Sequence, residues 1–237
     1  MGRALVLLCK GTLTVEGHIP WSSNATLLAQ LTDGDLAVHV IYKPRRGERP
    51  LWDFPQGTLC RRETAAFVVS QALGWELVPP TVLRDGPWGW GALQLFVPHD
   101  PAVHYLAMAD PDPVVIRRIV AFDVVINNAD RKSGHILADE AGQLWAIDHG
   151  VTFHVEPKLR TVIWDHAGES LPPEIVADLR RLATGLADPS SAVRAELAGL
   201  LSTAEIRALE RRTQALVTAG RFPEADPERR AFPWPPV

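Results

Sequence analysis

The chain has 237 residues, 46% of them hydrophobic and 22% charged, ordinary globular values at a length that suits one large domain or two lobes sharing a cleft. Its net charge of −4, with 24 basic residues scattered apart from short clusters such as Arg45-Arg46 and Arg61-Arg62, argues against nucleic acid as the main partner, because a phosphate-tracking surface needs an excess of Lys and Arg. Only two cysteines occur, Cys9 and Cys60; they build neither a disulfide framework nor a zinc spacing, so a reducing cytoplasm is the expected location.

The opening run from Leu5 to Leu8 is ended by Lys10 and is too short for a secretory segment. No run reaches the length of a membrane span, and Val6 stands where myristoylation needs Ser or Thr. Leu5–Leu8, Leu13–Val15 and Thr26–Leu31 read as short strands, with a polar turn at Trp21-Ser22-Ser23-Asn24. Thr32-Asp33-Gly34-Asp35 predicts a hairpin turn into a strand over Leu36–Lys43. On that strand Ile41 and Lys43 share one face, and Val40 and Tyr42 share the other. A charged, Pro- and Gly-containing loop leads to a helix over Arg61–Leu73, closed by Gly74. Strands over Thr81–Leu83 and Ala92–Val97 complete the β-rich half, which ends near Pro98.

The second half changes character. Val114–Asn127 has helical spacing, and short strands at Ile136–Ala138 and Leu144–Ile147 flank a turn at 139–142. Ile175, Leu179, Leu182 and Leu186 form an amphipathic stripe. Ser202 with Glu205 makes a capping box for a last helix reaching about residue 219. The proline-rich tail Pro223–Val237 is expected to lie along the surface or to be loose. A β-rich half followed by an α-rich half gives an α+β chain.

Two clusters carry the chemistry. Asp130 and Asp148 stand on either side of the short hairpin, which aims both acids at one crevice. Phosphoryl transfer uses such a pair, one carboxylate orienting the acceptor and one holding Mg²⁺. Lys132 could balance charge on the transferring group. Upstream, Lys43 ends a strand and Glu63 lies on the following helix, the order of a phosphate-binding lysine and its helix partner. Each cluster alone also fits ordinary turn acids or a solvated strand-end lysine. What joins them is their order along the chain. His149 and His154 are too sparse for a metal site.

The series Tyr42-Lys43-Pro44, Glu63-Thr64-Ala65-Ala66-Phe67, Val78-Pro79-Pro80-Thr81, Asn128-Ala129-Asp130-Arg131 and Ala146-Ile147-Asp148-His149-Gly150 resembles the phosphatidylinositol 3-/4-kinase-like superfamily. The likeness is nearest to the type II phosphatidylinositol 4-kinase branch and its small bacterial relatives, more distantly to HipA-type kinases, and covers about residues 20–170. It implies a two-lobed, protein-kinase-like fold, with a β-rich N-lobe over 1–97 and a mainly helical C-lobe over 98–237. ATP and Mg²⁺ are the implied cofactors, and the acceptor is an unidentified protein or small molecule. By the same resemblance Lys43 contacts phosphate, Glu63 holds it, Asp130 is the catalytic-loop acid and Asp148 the metal acid. Gln94, Leu95, Phe96 and Val97 form the hinge, while Ile41, Leu137 and Ile147 sandwich adenine. Ser22, Ser23 and Asn24 take the place of the phosphate loop. Two departures stand out: His135 occupies the position of a metal-binding Asn, and the phosphate loop has no Gly-rich motif. His135 is the feature that favours the alternative, an inactive pseudokinase acting as a nucleotide-binding interaction module. No nucleophile elbow or zinc signature supports a hydrolase.

Overall fold

Leu5 to Leu8, expected as a strand, lies in a helix. The computed structural model describes residues 2–20 and 24–237 and opens with α1, Gly2–Lys10. Leu7 and Leu8 are buried while Val6 and Cys9 are exposed. An unbroken apolar run carries no period of its own, and here the helical spacing places one face on the neighbouring sheet.

The sheet is antiparallel and five-stranded: β1 Thr12–His18, β2 Leu27–Asp33, β3 Leu36–Pro44, β4 Thr81–Arg84 and β5 Gly91–Leu95, in the order β1-β2-β3-β5-β4. Along β3, Val40 and Tyr42 are fully buried in a small apolar cluster with Leu7, Leu8, Leu27, Leu31 and Leu93. The alternation of the strand therefore sends Ile41 and Lys43 to the opposite face. Between β3 and β4 lies α2, Leu59–Leu73, which ends at Gly74 with φ 72°, the left-handed conformation glycine adopts without steric penalty.

α2 packs mainly with the helical part of the chain. Ala65, Ala66, Phe67, Val69 and Leu73 join the larger core with α3 Pro113–Ile126, α4 Pro173–Ala187, α5 Ala192–Ala198 and α6 Thr203–Ala219. Buried Arg62 locks this arrangement: it pairs with Glu205 of α6, donates to the Thr152 carbonyl at 2.5 Å, and lies 4.9 Å from the Phe54 ring centroid. Glu205 also closes the expected capping box with Ser202.

α3 starts at Asp112, whose carboxylate accepts from the Val114 N–H at 2.8 Å, and stops at Asn127 in a left-handed conformation. The hairpin β6 Ile136–Ala138 and β7 Leu144–Ala146 follows. The Ala146 N–H reaches the Leu77 carbonyl at 2.8 Å, tying this hairpin to the segment after α2. The tail lies along the surface and is bonded to it. Pro233 is buried, the Ala231 carbonyl accepts from the Thr161 N–H, and the Pro236 carbonyl accepts from the Ser133 N–H. Among the described residues no helix is long and apolar enough to cross a membrane.

Candidate active site

Lys43 sits between two carboxylates. Its Nζ is 2.5 Å from Glu63 Oε1 and 3.0 Å from Asp148 Oδ1. β3 delivers the lysine, α2 delivers the glutamate, and the turn after β7 delivers the aspartate. Glu63 is 3% exposed, and its other oxygen, Oε2, accepts the His149 N–H at 3.0 Å, fixing the backbone just after Asp148. Asp148 itself has φ 59°, a conformation that non-glycine residues adopt rarely and at some cost. Burial alone would lower the Lys43 pKa, but Asp148 and Glu63 outweigh it and hold the ammonium charged. Lys43 in turn keeps the Asp148 carboxyl well below the usual range.

Asp130 is placed differently. Its backbone N–H donates to Asn128 Oδ1 at 3.0 Å, and its Oδ2 is 3.7 Å from Lys132 Nζ. Burial, opposed by Lys132 and reinforced by Asp148, pushes its carboxyl up to about 6. His135 faces the second oxygen of Asp148, Nε2 to Oδ2 at 3.3 Å, and burial lowers its imidazole to about 4, so the ring is neutral.

Beneath these groups lies a buried polar knot. Arg131 makes a two-pronged pair with Asp123 of α3 at 2.8 Å on both arms. It also donates to the carbonyls of His135 and Ile147 and meets His149 Nε2 at 2.8 Å. Asn128 adds a 2.9 Å bond to Asp123. Asn127 reaches across to the His154 and Glu156 carbonyls. Together they join α3, the Asp130 loop and the Asp148 turn. Sequence reasoning singled out none of Asp123, Asn127 or Asn128 for such a role; the available signal was an aspartate inside the apolar run Val120-Ala121-Phe122-Asp123-Val124-Val125.

Two cavities flank the Lys43–Asp148 pair. The first, about 350 Å³, gathers Ile41, Gln94, Leu95, Phe96, Val97, Leu137 and Ile147, with His135 at its edge. The Gln94 side chain donates through Nε2 to the Thr81 hydroxyl at 2.9 Å. The second, about 360 Å³, is polar and holds Glu63 and Asp130 together with Asn24, Trp52, Asp53 and Arg160. Asn24 therefore lies on this polar side, its Oδ1 accepting the Arg49 N–H at 2.8 Å. Ser22 and Ser23 lie outside the described residues. Lys132 lies beside Asp130 but is not among the residues lining either cavity.

Chemically, the arrangement supplies a fixed cation, a fixed anion and a carboxylate able to exchange a proton near neutrality, the polar set that phosphoryl transfer uses. Asp148 offers a carboxylate to a cation, and the Nε2 of neutral His135, 3.3 Å from it, joins as a second donor only in the tautomer that carries its proton on Nδ1. Among the described residues no cluster of three or more His, Cys, Asp or Glu ligands exists, so a cation here would take its other ligands from phosphate and water. That sparse donor set fits Mg²⁺, which dehydrates reluctantly and is commonly held by one or two carboxylates plus phosphates.

The chain is 42% identical to Protein Rv2133c of Mycobacterium tuberculosis (strain ATCC 25618 / H37Rv) over 264 aligned positions, covering 97% of this chain and 94% of that protein. It belongs to the Rv2133c family. No protein-family model matches the chain. Among solved structures, that of the Helicobacter pylori proinflammatory kinase CtkA superposes with a TM-score of 0.53 over 90% of this chain and 93% of its own. At 12% identity this likeness defines the fold: the present Rv2133c-family member is an α+β protein of kinase-like architecture.

Proposed function

We propose that this protein is an ATP- and Mg²⁺-dependent phosphotransferase, a small bacterial member of the phosphatidylinositol 3-/4-kinase-like superfamily that works in the cytoplasm. It has an N-lobe over about residues 1–97 and a C-lobe over about 98–237. It transfers the γ-phosphoryl group to a hydroxyl of a protein or small-molecule acceptor. The observation carrying this reading is Lys43, pinned between Glu63 and Asp148 where an apolar cavity meets a polar one that contains Asp130.

In this reading Ile41, Leu137 and Ile147 pack on adenine, and the backbone of 94–97 meets its edge. Lys43 neutralises phosphate charge, and Glu63 keeps its ammonium in place. Asp148 would hold the cation, together with His135 in the tautomer that frees Nε2, and the cation would supply positive charge to the phosphate oxygens. Asp130 orients the acceptor hydroxyl and takes its proton, with Lys132 beside it. Calorimetric titration of ATP with and without Mg²⁺ tests the assignment. Metal-dependent binding that disappears in Lys43→Ala and Asp148→Ala is expected, and a wild-type protein that binds no ATP overturns it.

His135 favours a second reading, a nucleotide-binding pseudokinase. The Lys132 N–H donates to its Nδ1 at 3.4 Å, which leaves the ring proton on Nε2, directed at Asp148. A protein that binds ATP with metal, transfers no phosphoryl group in single-turnover assays and gains transfer in His135→Asn would establish this version.

A further inference from the structure

A groove of about 560 Å³ runs beside the polar cavity, with walls and floor that include Arg45, Arg46, Arg49, Pro55, Trp88 and Trp90. Its charge is unmatched. Among the described residues none of the three arginine side chains has an ion pair or hydrogen bond. The one carboxylate in the lining, Glu48, is committed to the first turn of α2, accepting from the Leu59 N–H at 3.1 Å and the Cys60 N–H at 2.8 Å. Three free guanidinium groups in one groove of a chain with net charge −4 make a local positive field.

The walls are built in advance. Gly86 and Gly89 exchange backbone bonds at 3.1 and 2.9 Å, the Tyr42 hydroxyl donates to the Gly89 carbonyl, and the Arg45 N–H donates to the Trp90 carbonyl at 2.8 Å. Trp88 packs edge-on against His18, with ring centroids 5.2 Å apart, while Trp90 remains 57% exposed. A preformed concave surface of indole, proline and guanidinium suits an extended peptide, in which carboxylates take the arginines in two-pronged bonds and backbone and apolar groups lie on the rings. A flat lipid surface would leave such a concavity unfilled. The groove is also continuous with the polar cavity, because Glu48, Arg49, Leu51, Phe54 and Leu59 line both.

We propose that this groove docks an acidic segment of a protein substrate, flanking the hydroxyl presented to Asp130. The substrate class rests on the kinase reading; the docking itself is measured without nucleotide. The probe is a fluorescein-labelled peptide of alternating Asp and Gly around one Ser, followed by fluorescence anisotropy, beside a Lys counterpart. The Asp peptide is expected to bind in a salt-sensitive manner and the Lys peptide not to bind. Arg46→Gln should weaken the Asp peptide about tenfold, as for one lost charge-assisted contact. Arg45→Glu/Arg46→Glu should abolish that binding and confer binding of the Lys peptide. ATP titrations should be unchanged in Arg46→Gln, which covers the case of a double variant that fails to fold.

Absence of Asp-peptide binding to the wild type would overturn the proposal, as would binding indifferent to these variants. So would parallel loss of ATP and peptide in Arg46→Gln. Arginine-dependent binding to phosphatidylcholine vesicles containing phosphatidylserine, without peptide binding, would instead assign the groove to a membrane. A wild type that binds the peptide but no ATP would remove the kinase reading and leave the groove standing.

Discussion

The Lys43–Glu63–Asp148 cluster and the Asp123–Arg131 cluster are adjacent and built from the same kinds of charge, yet they are finished differently. Arg131 is fully buried, and its donors are spread over Asp123, two carbonyls and His149. In the upper cluster the Lys43 side chain is 21% exposed and that of Asp148 49%, and both line cavities. Saturated ions hold backbone segments in register, whereas ions with open valency are available to a ligand. One pair of loops thus carries a closed charge system below and an open one above.

The largest effect should come from breaking the saturated cluster. Arg131→Met leaves Asp123 buried without its cation and should cost about 3–5 kcal/mol, read as a lower urea midpoint. Next is the open cluster: Lys43→Ala should remove calorimetrically detectable Mg²⁺·ATP binding, a loss of at least about 100-fold, while costing less stability than Arg131→Met. Smaller and opposite in sign is Asp130→Asn. The folded pKa of Asp130, about 6, lies above its ordinary 3.8, so its contribution to stability is fully present below 3.8 and is lost as pH rises through about 6. The Asn variant should therefore be more stable than wild type by about 1–2 kcal/mol near pH 8, with no such gain near pH 4, by urea denaturation at both. Smallest is Lys132→Met. Lys132 lowers the Asp130 pKa, so removing it should move the acid limb of kcat/KM for ATP turnover upward by about half a pH unit. A downward shift would show that Lys132 does not act through Asp130.

The difference between the clusters also explains what the sequence disclosed. Lys43, Glu63, Asp130 and Asp148 stand at strand ends, a helix and loop turns whose order along the chain is informative, and the structure brings all four to one cavity. The strand alternation of β3 and the Gly74 helix stop were equally readable, because period and backbone conformation are local properties. Asp123 and Asn128 could not be read this way: their role exists only after α3, the Asp130 loop and the Asp148 turn converge, and a buried ion looks in sequence like a surface one. α1 failed for another reason. Its consecutive apolar residues, Leu5 to Leu8 among them, fit a strand or a helix alike, and only the sheet beside it selects the helix.

The bonds made by the tail bear on the order in which the molecule is completed. Ser133 and Thr161 donate to Pro236 and Ala231, so two segments bordering the site are held by residues synthesised long after them. Closing such distant contacts is an entropically slow, late event. A chain shortened before residue 231 should therefore form its sheet and main helical core yet exchange the amides of Ser133 and Thr161 freely, as an otherwise assembled protein whose site has not been latched.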